Sequence, residues 1–164
     1  FSTYMITSTV SSVVMRTFSS SPRRKPTGAK AAKCKLFSKC IISMHVKITR
    51  SPNSVKKFRA TLEDGRTVDF GARGYSDYTK HKNPSRMRSY VSRHGGQIPK
   101  STMIESDPQK IQSRMLRVTL SDKENWKMSG INSAGFWSRW YLWSFPSFKE
   151  VEKFMSKKFG LVFI

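Results

Sequence analysis

Along the chain, the first regular pattern is a step of two. In "MHVKITR" Val46 and Ile48 stand between polar neighbours, and "VKKFRATL" repeats the step, less cleanly, through Phe58, Ala60 and Leu62. After Glu63-Asp64-Gly65-Arg66, the stretch "RTVDFG" sets Val68 and Phe70 on one side. Alternation of this kind is what a strand with one buried face requires, and an Asp-Gly pair suits the positive φ of a tight hairpin turn. The chain from Met44 therefore predicts a small antiparallel meander. Gly71, Gly74 and the polar run after them lead out of it.

The period then lengthens. Asn83-Pro84 marks a helix start, with Asn as cap and Pro at the first helical position, and Gly95-Gly96 marks its stop. Between them Met87, Tyr90, Val91 and His94 form one stripe, with Arg86, Arg88 and Arg93 off it. Residues 97 to 120 read as an insertion or long excursion, in which Asp107-Pro108 opens a short helix through Met115 and "MLRVTL" is a further strand. Ser121-Asp122-Lys123-Glu124 has capping-box spacing and predicts a short helix carrying Trp126, broken at Gly130. Ser133 caps the next helix, whose broad face holds Phe136, Trp137, Trp140, Tyr141 and Ser144. Leu142 and Trp143 widen that face, and Ser138 and Arg139 are left outside it. Past Pro146, a second capping box, Ser147-Phe148-Lys149-Glu150, opens a last helix with Phe148, Val151, Met155 and Phe159 as its stripe.

These elements predict an α+β fold: a small antiparallel β-meander packed against C-terminal aromatic-rich helices, with an extended basic N-terminal arm over residues 1–43 and a domain over 44–164. The expected core is Val46, Ile48, Phe58, Val68, Phe70, Tyr90, Trp137, Trp140, Phe148, Val151 and Met155. Aromatic burial suits a chain with few aliphatic residues, because each ring covers roughly 150 to 250 Å². Trp143, at the end of its helix, is the better candidate for a partner surface.

Charge changes the picture. The 164 residues hold 31 Lys and Arg against 10 Asp and Glu, a formal net charge of +21. No acidic residue precedes Glu63, whereas residues 1–62 hold 13 basic ones. Such a field attracts nucleic acid, acidic protein surfaces or anionic lipid, and does not choose among them. The Ser- and Thr-rich arm has nothing to close a core with, and its composition also resembles a transit peptide. Fixing each of its residues costs roughly 1 to 2 kcal/mol, so an ordered arm is expected to borrow its shape from neighbouring subunits. Its partner-binding candidates are Arg16, Arg23, Arg24, Lys25, Lys30, Lys33, Lys35 and Lys39; in the domain they are Arg86, Arg88, Arg93, Arg139 and Trp143.

Candidate chemistry is sparse. Cys34 and Cys40 have no second close pair of Cys or His beside them, so free thiols are expected, with a short-loop disulfide left open and no metal. Asp69, Asp77, Tyr78 and His81 lie close in sequence, but proximity in a loop does not make an acid/base pair, and turn and surface roles are expected for them. "GARG" lacks the spacing of a phosphate loop. No cofactor and no enzymatic activity are predicted, and no apolar run is long enough for a transmembrane helix.

Two blocks, "VDFGARGYSDYTKHKNPSRMRSYVSRHGG" and "ENWKMSGINSAGFWSRWYLWSFPSFKEVEKFMSKKFG", resemble a small family of uncharacterised basic proteins encoded by large nucleocytoplasmic DNA viruses, the algal chloroviruses among them. The resemblance covers Met44 to Gly160 and rests on FGA-x-GY-x-DYT-x-HK, the Y-x-x-RH helix end and AGFWSRW-x-LW taken together. It implies a virion-associated role and brings no catalytic residues with it. The expectation is a minor capsid protein on the inner surface of the capsid, tying major capsid subunits and other minor capsid proteins together. The alternative is a basic virion protein that binds nucleic acid during genome packaging.

Overall fold

A computed structural model describes residues 43–164. Residues 1–42 of the arm, with its basic residues from Arg16 to Lys39 and both cysteines, lie outside the described residues.

The fold is α+β. Strands β1 (Met44–Arg50), β2 (Lys56–Leu62) and β3 (Thr67–Ala72) form the expected meander, with Val46 opposite Leu62 and Phe58 opposite Phe70. One face is apolar: Val46, Ala60, Leu62, Val68 and Phe70 are buried, and Met44, Ile48 and Phe58 pack at its margin. The other carries polar side chains, including Arg59 directly across from Asp69, which it grips through two nitrogens at 2.8 and 2.7 Å. One addition was not expected. A short strand β4 (Leu161–Phe163) pairs parallel to β1, so the sheet is mixed, in the order β3-β2-β1-β4. It is placed by Gly160, whose φ of 72° ends the preceding helix in a left-handed cap that glycine adopts without steric cost.

Helices α1 (Tyr78–His81) and α2 (Pro84–Arg93) follow, the second capped by Asn83, whose side chain accepts from the amides of Ser85 and Arg86. The excursion contains α3 (Lys100–Met103) and α4 (Pro108–Arg117), the latter capped by Asp107 in the same manner. "MLRVTL" is not a strand: Met115 to Arg117 complete α4, and beyond it the Gln97 amide bonds the Leu120 carbonyl beside an isolated bridge between Gly96 and Ser121. The helix expected around Trp126 is also absent. Ser121 Oγ does accept from the amides of Lys123 and Glu124, but the Glu124 carboxylate turns to Trp126 Nε1 at 2.7 Å, and only a 3₁₀ turn follows, Met128–Gly130.

Ser133 caps α5 (Ala134–Trp137), which passes without a break into a π-helical turn, Ser138–Leu142. Helix α6 (Phe148–Phe159) lies beyond Pro146, although the Ser147 side chain makes no capping bond. Ring contacts tie these helices to the sheet. Phe70 stacks on Phe58 and Trp137 at 5.8 Å each, and Phe159 closes on Phe136 and Trp140 at 5.0 and 5.5 Å. Indole N–H groups are matched as well, Trp137 Nε1 to the Ile131 carbonyl and Trp140 Nε1 to that of Trp126. Burial of an indole with its polar tip satisfied keeps the apolar gain without an unpaired donor. Phe148 departs from the expected core: it is 38% exposed, its ring lying over Tyr141 and edge-on to Phe58 at the rim. Ile48 and Phe58 are half-buried.

Two outcomes are expected. Trp137→Ala lowers unfolding free energy by about 3–5 kcal/mol, read from urea denaturation, because the ring is wholly enclosed. Asp69, held by the Arg59 guanidinium and the Ser51 hydroxyl, is lowered from 3.8 to about 2. A carboxylate depressed in the folded state contributes stability above its unfolded value and loses it as pH falls through the folded one. The denaturation midpoint therefore drops between about pH 4 and about pH 2, and Asp69→Asn flattens that part of the profile; an unchanged slope overturns the assignment.

Candidate binding cleft

The residues singled out in sequence for partner contact separate into three groups. Arg86 and Arg93 are exposed on α2, as expected. Arg88 is half-buried and committed to structure: it donates to the carbonyls of Thr102 and Glu105 at 3.0 and 2.7 Å and so pins the excursion to α2. Arg139 and Trp143 are not surface groups at all, being 0% and 8% exposed.

Arg139 is the sharpest correction. No carboxylate pairs with it among the described residues. Its guanidinium donates to the carbonyls of Met115 at 2.6 Å, Val118 at 3.4 Å and Trp143 at 3.1 Å. The first two lie at the C-terminal end of α4, where the helix dipole concentrates partial negative charge, and the Met115 carbonyl accepts the Val118 amide as well. The rings of Trp140 and Trp126 lie against it, at 4.3 and 5.3 Å from the guanidinium carbon, and supply cation–π attraction. Burial lowers the group to about 10, which leaves it charged at neutral pH.

The acidic and aromatic groups considered for chemistry are also taken up by the fold. Asp69 holds Arg59; Asp77, buried, accepts from Lys57 at 2.6 Å and from Thr79; Tyr78 is buried. His81 Nδ1 accepts from the Asn83 amide at 2.9 Å, and its ring leans on Trp143 at 5.2 Å. Burial and nearby Arg86 depress its basicity. Asp77 and Tyr78 thus correct the expectation of surface roles.

What the structure brings together is a cleft of about 620 Å³. One wall is a stripe of α2, namely Arg86, Ser89, Tyr90 and Arg93; facing it are Lys56, Gly71 and Ala72 from the strands and Tyr75 and Ser76 from the loop beyond. Leu142, Trp143 and Ser138 line it from the aromatic helix. Tyr90 and Trp143 stack at 4.3 Å and almost parallel, 6° apart, and His94 packs on Tyr90 at 4.1 Å. Since a carboxylate can only accept, the His94–Glu124 contact at 2.8 Å fixes Nδ1 as the donor and leaves Nε2 as an acceptor in the neutral ring. The other Glu124 oxygen takes Trp126 Nε1. A Cβ at Gly135 would lie 2.8 Å from the Glu124 carboxyl carbon, so glycine there is what lets that carboxylate sit between the two rings.

Arg86, Arg93 and Trp143 are legible in sequence as candidates, although Trp143 reads as an outer surface rather than a cleft lining; Tyr90 is in the core, as expected, and backs the cleft as well. Glu124, Gly135, Lys56 and Tyr75 are not legible in sequence. The signal for Glu124 was misread, because its spacing from Ser121 fits a helix cap; for the others only the fold supplies the proximity.

Replacing Arg139 by Met removes this donor from the Val118 and Trp143 carbonyls and one of two donors from that of Met115, and is expected to destabilise the protein by about 3 kcal/mol or more, measured by urea denaturation followed through tryptophan fluorescence. Arg139→Lys recovers less than half of that, because one ammonium cannot span acceptors spread around a planar fork. A Met variant as stable as the parent refutes the structural role.

Residues 46–94 match a family of unknown function (DUF5754), a span that holds most of β1 together with β2, β3, α1 and α2 and leaves the aromatic helices outside. No curated protein and no solved structure matches the chain significantly.

Proposed function

We propose that this chain is a non-enzymatic structural protein of a large DNA virus particle, a minor capsid protein that joins major capsid subunits from their inner side through basic contacts. One observation carries the reading furthest: the domain's carboxylates are largely occupied by its own cations and amides. Asp64 holds Arg66, Asp69 holds Arg59, Asp77 holds Lys57, and Glu105 holds Arg114 at 3.2 Å. Exposed Lys47, Arg50, Lys80, Lys82, Arg86 and Arg93 are left over, an unbalanced basic surface that only an acidic partner neutralises. The sequence resemblance across Met44 to Gly160 supports the viral setting. Among the described residues no helix is long and apolar enough to cross a membrane.

A second reading, binding of nucleic acid by the same basic surface, is favoured by Arg86 and Arg93, which have no carboxylate partner among the described residues.

The capsid reading predicts that lysine cross-linking of purified particles, followed by mass spectrometry, joins Lys47, Lys80 or Lys82 of this chain to the major capsid protein. Particles that lack the chain, or cross-links confined to genome-associated proteins, overturn it. Duplex DNA affinity that falls steeply with rising salt supports the second reading, and no binding at low salt rejects it.

A further inference from the structure

We propose that the cleft beside α2 is a binding site for a single phosphorylated nucleoside, supplied either as a free nucleotide or as an unpaired residue of a single strand. The inference concerns the cleft alone and stands or falls separately from the capsid reading.

Charge and shape argue for it together. Arg86 and Arg93 are seven residues apart on one helix, hence on the same side and about 10 Å apart along its axis. Neither has a carboxylate partner among the described residues, and Lys56 faces them from β2 with its ammonium equally unclaimed. By contrast the other charged groups of the lining are committed: Lys57 to Asp77, and Glu124 to His94 and Trp126. The free charge of the cleft is therefore cationic, and guanidinium forks match phosphate oxygens in pairs.

Between the cations the lining is apolar and low. Ala72 and Ala134 keep the lining low, Gly71 admits the Leu142 side chain against the sheet, and Leu142 and the Tyr90–Trp143 stack form an apolar surface. A flat, partly apolar group with an anionic end fits such a slot, and the volume of about 620 Å³ suits a ligand of nucleotide size. Tyr75, 75% exposed at the mouth, offers a ring for a base to stack on.

The test is calorimetric titration of the full chain with AMP, adenosine, inorganic phosphate and a 5′-phosphorylated single-stranded oligonucleotide, with thermal melting to confirm that each variant folds. AMP is expected to bind at least tenfold tighter than either adenosine or phosphate, and Arg86→Glu and Arg93→Glu each to weaken AMP by tenfold or more. Lys47→Glu, which makes the same change of charge outside the cleft, is expected to leave AMP affinity within twofold. Whichever of AMP and the oligonucleotide binds tighter identifies the source. Phosphate as tight as AMP, or Lys47→Glu as damaging as Arg93→Glu, overturns the site; so does an acidic aromatic peptide that binds in an Arg93-dependent way where AMP does not.

Discussion

The arrangement of this domain depends on one buried cation without a counter-ion. Arg139 bonds the last carbonyls of α4 and the carbonyl of Trp143, and holds the rings of Trp126 and Trp140 against its faces. In the low dielectric of an interior, an isolated charge costs several kcal/mol unless dipoles replace water around it. Here carbonyl oxygens and ring faces do so. The consequence is positional: the excursion from residue 97, the turn that carries Trp126 and the aromatic helix can meet only where that set of acceptors converges. A hydrophobic side chain would fill the volume but would not orient three elements at once.

Much of the local structure was legible because short-range chemistry decides it. Asp64-Gly65 set the hairpin, Asn83-Pro84 and Asp107-Pro108 set helix starts, and Ser133 set the cap of the aromatic helix, each through backbone groups a few residues away. Failures occur where the deciding partner is remote. Glu124 fits a capping box by spacing, yet His94 and Trp126 compete for its oxygens and win. Arg139 reads as an outer residue because a charge belongs in water; only the carbonyls of Met115 and Val118, more than twenty positions earlier, make burial tolerable. Strand β4 was missed since three residues carry little periodicity, and its pairing with β1 spans most of the domain.

The cleft was illegible as a unit for the same reason. It draws on β2, β3, the loop after them, α2, the turn at Glu124 and the aromatic helix, so no single window of sequence contains it. What could be read was one wall, the basic side of α2. That wall gains a defined chemistry only when the opposite side proves to be small and apolar, since cations around a slot select differently from cations on an open surface.

The π-helical turn at Ser138–Leu142 sets a limit on how this chain can change. A π turn holds an additional residue relative to an α-helix, and here it allows Arg139, Trp140, Tyr141 and Leu142 all to be enclosed by neighbours on different sides. Removing a single codon from that stretch would close the wide turn to ordinary helical pitch and leave one place fewer for the four enclosed side chains. Descendants of this sequence are accordingly freer to exchange residues between Ala134 and Trp143 than to alter its length.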